Sequence, residues 1–342
     1  MHKEDIKNLG LSELKKIIES IGAPGYRAKQ IFAWIYKKGV YSFKAMDNLP
    51  RPLLDGLERD YYIGAFESSE HLMSRDRTEK FLFGLSDGNF IETVLIFGKD
   101  RKTICLSTQV GCKFACPFCA SGRMGFVRDL TSSEIIEQIL FLQRMIGHKM
   151  TNYVFMGMGE PLDNYKNTSK AVLIMNEKQG LAIGARRITI STCGVIPGIK
   201  NLSGLGPHVN LSVSLHASND RLRDRLVPIN KKYPLEDLVE ACGQYIKKTN
   251  RMITLEYVLI RGENDSLEDA EGLAAIAKRL RAKVNLIEYS PVPGRGFKPP
   301  IKKDIDFFMS RLLNKKIKTT LRISKGADIQ AACGQLSGKR RA

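Results

Sequence analysis

The sequence predicts an α/β fold, a partial (βα)6 TIM-like barrel with an N-terminal helical accessory domain and a β-hairpin extension. Two observations carry that prediction. Strand and helix patterns alternate six times after residue 99, the signature of a parallel sheet or barrel. The polar and glycine-rich strings gather behind the strands, at the end where such barrels place their sites. The expected organisation is a helical region over 1–65, a hairpin over 66–98, the barrel with a further helix and strand over 99–324, and a tail over 325–342.

In the first region, Leu14, Ile17, Ile18 and Ile21 recur at helical spacing behind Ser12, the candidate N-cap. Gly22-Ala23-Pro24-Gly25 breaks this helix. A second helix is expected over 26–38, with Ile31, Trp34 and Ile35 inward and Arg27, Lys29, Lys37 and Lys38 outward. Two short helices with basic edges suit a grip on a phosphate backbone or a packed cap on the main domain.

Residues 78–85 and 89–97 flank Ser86-Asp87-Gly88 and read as a hairpin, Asp-Gly being a two-residue turn signal. The second arm is apolar on both faces apart from Glu92 and Thr93. A carboxylate there must find a partner, reach solvent or hold its proton more tightly than usual. A salt bridge at a sheet edge is the plainer reading.

Barrel strands are expected at 103–108, 152–156, 187–192, 209–216, 253–260 and 283–289, with helices over 132–146, 167–177, 235–248 and 267–281 and a shorter one near Ile199. A proline-rich loop over 291–300, a helix over 305–313 and a strand over 317–324 follow, before a basic tail ending Lys339-Arg340-Arg341.

Composition narrows the function. Lys and Arg number 54 against 36 Asp and Glu, a net charge of +18, which favours a polyanionic partner such as RNA or DNA. No stretch approaches the roughly 20 apolar residues of a membrane span, and no apolar segment follows the polar N-terminus, so a cytoplasmic protein with no membrane partner is expected. Seven cysteines, an odd number, argue against a disulfide framework.

Cys112-Lys113-Phe114-Ala115-Cys116-Pro117-Phe118-Cys119 sets three thiols at C-x3-C-x2-C spacing after the first barrel strand. Three thiolates are one short of a closed structural zinc site, which Cys105 or a distant histidine would have to complete. On a four-iron, four-sulfur cluster they leave one iron open to a small molecule. The second strand ends in Gly157-Met158-Gly159-Glu160-Pro161, where glycines admit a ligand and a carboxylate can hold an ammonium group. The third ends in Ser191-Thr192-Cys193-Gly194 and the fourth in Ser214-Leu215-His216.

These strings resemble the radical S-adenosylmethionine superfamily. Joined by Gln109-Val110-Gly111-Cys112 and by Ala331-Ala332-Cys333-Gly334-Gln335-Leu336, they are similar, over essentially the whole chain, to its dual-specificity RNA methyltransferases, which methylate C2 of adenine in 23S rRNA and tRNA. The resemblance implies a [4Fe-4S] cluster on Cys112, Cys116 and Cys119 and two S-adenosylmethionine molecules per turnover. It implies cofactor contacts at Gly159, Glu160, Ser191, Ser214, Leu215 and His216. Cys333 matches the cysteine methylated on sulfur, whose methyl carbon, once a radical, adds to the adenine. Cys105 matches the cysteine that resolves the protein–RNA thioether through a transient disulfide with Cys333. Glu92 matches the proton acceptor. An electron donor that the sequence does not identify is expected as a partner, and a monomer as the form of the protein.

The family's Asn-Pro step after the sixth strand is Ser290-Pro291 here, so that cofactor contact is not carried over. Cys193 receives no catalytic role, and Cys242 falls on the Leu235, Leu238, Val239, Ile246 core face. Two alternatives stand beside this reading. The antibiotic-resistance branch methylates adenine C8, but typically has alanine where this chain has Pro161 and an aliphatic residue at the position of Cys193. A non-enzymatic, metal-containing RNA-binding protein explains charge and triplet, but gives Glu160, Cys105 and Cys333 nothing to do.

Overall fold

The computed structural model describes residues 3–147 and 150–338; the basic tail Lys339-Arg340-Arg341 lies outside the described residues. The strands are β1 (Glu4–Asp5), β2 (Tyr61–Tyr62), β3 (Glu67–Met73), β4 (Glu79–Gly84), β5 (Phe90–Phe97), β6 (Lys102–Cys105), β7 (Gln109–Gly111), β8 (Phe126–Asp129), β9 (Asn152–Phe155), β10 (Ile188–Thr192), β11 (Asn210–Ser214), β12 (Thr254–Leu259), β13 (Lys283–Glu288) and β14 (Thr319–Arg322).

One ten-stranded sheet runs β14-β13-β12-β11-β10-β9-β6-β5-β4-β3. From β6 to β14 its neighbours are parallel, as the alternating pattern requires. These seven strands form the partial barrel wall, so the strand expected after the sixth unit joins the sheet at its edge.

The hairpin is continuous with this wall rather than set apart from it. β5 pairs antiparallel with β6, β4 with β5 and β3 with β4. β3 has no counterpart among the expected strands, because Glu67-Ser68-Ser69-Glu70-His71 shows no apolar alternation. The turn also differs. Leu85 N–H donates to Asn89 O at 2.8 Å, Gly88 N–H donates to Leu85 O at 3.0 Å, and Gly88 has φ of 81°. Three residues therefore form the loop, with glycine in the left-handed position, instead of a two-residue turn.

The helix Leu11–Ser20 starts behind Gly10, not Ser12; Glu13 accepts the Gly10 N–H at 2.7 Å and completes the first turn. Ile31, Trp34 and Ile35 are buried as the periodicity demands. Arg51–Asp60, with Leu53, Leu54 and Leu57 buried, was hidden by Pro50 and Pro52, which sit where a helix start accepts proline.

Ser132–Ile146 is bounded by Thr131, whose hydroxyl accepts from Glu134 N–H, and by Gly147 in the left-handed region. Its Glu137 pairs with Lys7, both fully buried, and Asn8 accepts from Ser133 N–H at 2.9 Å. A buried ion pair thus pins the N-terminal segment to the barrel. On Leu235–Thr249 the expected face is inward, Leu235, Leu238, Val239 and Cys242 all being buried. A leucine-to-alanine change there costs about 2–5 kcal/mol.

Candidate active site

The cysteine loop leaves β7 through Gly111. Its φ is 74°, and a side chain there would meet the Gly125 carbonyl at 1.7 Å. Cys112 N–H donates to that carbonyl at 2.9 Å, and Cys119 N–H returns to Cys116 O at 3.0 Å. The loop therefore curls so that Cys112, Cys116 and Cys119 line one cavity at the C-terminal ends of the strands.

Burial pushes Cys112 up to about 12 and raises Cys116 and Cys119, and the charges of neighbouring thiols add to the effect. Three thiolates are stable here only against positive charge. Among the described residues, no three His, Cys, Asp or Glu side chains converge closely enough to hold a single ion. The donor set fits a cluster, in which each thiolate takes its own iron.

Gly159, with φ of 92°, leaves room for Gln109, whose Cβ would lie 2.4 Å from any added side chain. Gln109 in turn accepts the Glu160 N–H at 2.8 Å. The Glu160 carboxylate is buried on the cavity wall and accepts from Leu162 N–H at 3.0 Å and Cys193 N–H at 2.8 Å. Burial raises its proton affinity, and those two N–H groups oppose the rise.

Ser191 and Ser214 stand side by side on the wall, hydroxyls 3.5 Å apart. His216 is in the left-handed region, with φ of 59°, and its Nδ1 accepts from Val258 N–H at 3.0 Å. Burial, helped by the Arg223 charge, pushes it down to about 3. The ring is neutral, and Nε2 carries the proton. Phe118 meets it edge-on at 5.1 Å, which docks the aromatic of the cysteine loop. Leu215 does not line the cavity; its side chain is core, and its carbonyl accepts from Arg223. Ser290 is likewise buried off the cavity, while Tyr289 lines it.

The C-terminal segment straps across this mouth. Ala120 N–H donates to Gly334 O at 2.7 Å, Ser121 Oγ to Leu336 O at 2.7 Å, and Gln335 Nε2 to Pro291 O at 2.9 Å. The strap delivers Cys333 to the cavity. Cys105 on β6 is buried and pushed up to about 12 by burial, with the Cys333 charge adding and Arg322 opposing. Both thiols are free. Glu92 lies on β5 beneath the strap, off the cavity. Its Oε1 pairs with Lys80 at 2.7 Å, and its Oε2 accepts from Ser337 and Gly338 N–H.

Three further residues belong here. Arg223 is fully buried and donates to Leu215 O at 3.2 Å, Cys193 O at 2.6 Å and Asn230 Oδ1 at 2.8 Å, tying together the ends of β10 and β11. Nothing in its polar helical surroundings marks it in the sequence. Glu256 and Arg322 line the inner wall. Glu256 carried the signal that singled out Glu92, a lone acid in an apolar strand.

Fold and site define a radical S-adenosylmethionine enzyme, and residues 106–274 match the model of the Radical SAM superfamily. Residues 4–63 match the ribosomal RNA large subunit methyltransferase N-terminal domain. The chain is 44% identical over 334 residues to probable dual-specificity RNA methyltransferases RlmN of Clostridium perfringens (strain SM101) and Clostridium botulinum (strain Loch Maree). Those alignments cover 97% of this chain and 96% and 98% of the relatives. A crystal structure of a radical SAM methyltransferase from Sphaerobacter thermophilus superposes with a TM-score of 0.93 at 43% identity, covering 98% of this chain and all of that one. The chain belongs to the RlmN family of radical SAM RNA methyltransferases. That membership implies a [4Fe-4S] cluster, S-adenosylmethionine and an RNA substrate, and it displaces the non-enzymatic reading.

Proposed function

We propose that this enzyme methylates C2 of adenine in 23S rRNA and in tRNA, through Cys333. The observation that carries the reading is the placement of Cys333, which the strap holds in the same cavity as Cys112, Cys116, Cys119 and Glu160. Bound there, the reduced cluster and S-adenosylmethionine supply first a methyl group and then, from a second cofactor molecule, a 5′-deoxyadenosyl radical.

The residues divide the remaining work. Cys112, Cys116 and Cys119 hold the cluster. Glu160, flanked by Gly159, faces the cofactor's ammonium group, while Ser191, Ser214 and neutral His216 take its other polar groups. Leu215, whose N–H and carbonyl are held by Glu256 O and Arg223, positions its two neighbours. Cys333 would accept the methyl group on sulfur, lose one of its hydrogens to the deoxyadenosyl radical and carry the resulting carbon to adenine C2, the adduct then returning one electron to the cluster. Glu92 takes the proton from C2, which requires the Ser337–Gly338 contacts to open. Cys105, as thiolate, then attacks Cys333 Sγ and breaks its bond to the methylene carbon, which takes up a proton. This frees RNA carrying 2-methyladenosine and leaves a Cys105–Cys333 disulfide for an external two-electron reductant to reopen.

The chain divides functionally into an RNA-contacting region over 1–65, the hairpin over 66–98, the barrel over 99–324 and the cysteine-bearing end over 325–342. A net charge of +18 favours a polyanion, and adenine C2 is reachable only in an unstacked base. A cytoplasmic monomer fed by a separate electron donor completes the proposal. Among the described residues no helix is long and apolar enough to cross a membrane. Anaerobic turnover on 23S rRNA fragments and tRNA, followed by nucleoside mass spectrometry, tests it: 2-methyladenosine in both RNAs is expected.

A further inference from the structure

Glu256 lies mid-strand on β12, in register with Ser214 on β11 and Asn285 on β13. It is 3% exposed, yet it lines the cavity. Its Oε1 is fully occupied, accepting from Ser212 Oγ at 3.0 Å and Asn285 Nδ2 at 3.1 Å. Asn285 is itself fixed by the Thr320 hydroxyl, so the carboxylate cannot turn without breaking a network. Among the described residues, its Oε2 is buried with no hydrogen-bond partner, and only the Arg322 charge acts on the carboxylate from the same wall. Arg322 shares the wall but makes no ion pair with it, resting instead on Met156 Sδ at 3.6 Å.

A buried carboxylate oxygen without a hydrogen bond is too unfavourable to be idle, and this one belongs to a residue on the cavity wall, within reach of a bound ligand's donor. We propose that Glu256 Oε2 accepts a hydrogen bond from a ribose hydroxyl of S-adenosylmethionine, making β12 part of the cofactor site. The adjoining wall supports this choice. Ser214 is its register neighbour, Ser191 is 3.5 Å from Ser214, and both face the same cavity. A carboxylate on a strand taking a ribose hydroxyl is a recurrent solution to nucleoside recognition. The inference rests on the cofactor site proposed above. The RNA adenosine carries the same hydroxyl and amine donors, so the test has to separate the two nucleosides.

The experiment is equilibrium binding to the reconstituted full-length protein, without reductant, of S-adenosylmethionine and its 2′-deoxy and 3′-deoxy analogues. Wild type and Glu256→Gln are compared, with RNA binding measured in parallel. Glutamine keeps a carbonyl for Ser212 and Asn285 and turns its amide NH2 to the cavity, replacing the acceptor with a donor. Wild type is expected to bind one deoxy analogue about tenfold or more weaker than the parent, the scale of a hydrogen bond to a charged group. E256Q should lose most of that discrimination and leave RNA binding unchanged. Equal wild-type affinity for all three cofactors overturns the proposal without reference to the variant. Weakened RNA binding with unchanged cofactor binding assigns the oxygen to the substrate and also overturns it. A wild type with full cluster iron that binds no cofactor would overturn the cofactor site itself.

Discussion

Glu92 and Ser337 are joined at 2.6 Å, the carboxylate Oε2 accepting the main-chain N–H, with Gly338 N–H at 3.0 Å beside it. The group proposed as the base is therefore covered by the same chain end that carries Cys333. Lys80 balances its charge at 2.7 Å, both side chains being almost wholly buried. Lys80→Met should cost about 3–5 kcal/mol in urea unfolding, because it strands a buried carboxylate. Adding Glu92→Gln should restore much of it. A single-variant loss near zero would mean the carboxylate is not held by Lys80.

The cysteines separate by phenotype. Cys333→Ala should keep the cluster and RNA binding but form no methylated adenosine. Cys105→Ala should leave protein covalently on RNA, seen as a shifted band in a denaturing gel; free, methylated product would refute its resolving role. Cys116→Ala should lose cluster iron, and full iron content would contradict the triplet's assignment.

Arg223 acts through the backbone it ties down. It holds Cys193 O while Cys193 N–H holds Glu160, so its loss loosens the carboxylate facing the cofactor. Arg223→Lys cannot reach all three acceptors. The KM for S-adenosylmethionine should rise about tenfold, the value of one charged hydrogen bond, with cluster iron unchanged. An unchanged KM with lowered stability would make the residue merely structural.

His216 sets a pH dependence. Held down to about 3 by burial, it binds a proton less readily folded than unfolded, where its pKa is about 6.5. Its full contribution is present above pH 6.5 and is lost as pH falls toward 3. At pH 5 the deficit is about 2 kcal/mol. Urea midpoints at pH 7 and pH 5 should differ accordingly, and His216→Asn should narrow the difference; equal slopes in both proteins would place the titration elsewhere.

The barrel was legible because its strands and helices alternate and keep their apolar periods, and the cysteine loop because its spacing is local. Glu92 and Glu256 show where local reading stops. Both are lone acids in apolar strands, but only the assembled sheet brings one to Lys80 and leaves the other with an oxygen lacking a hydrogen bond. Arg223 was unreadable, since most of its acceptors are main-chain carbonyls, which no side-chain pattern records. The hairpin's place in the barrel sheet depends on pairing between β5 and β6, a property of two strands together.

The most direct test of the account is nucleoside mass spectrometry of 23S rRNA fragment and tRNA treated with the reconstituted enzyme, S-adenosylmethionine and a reductant. 2-Methyladenosine is expected, and it should be absent when Cys333 is replaced by alanine. 8-Methyladenosine, or no methylated adenosine from protein with an intact cluster, would contradict the account.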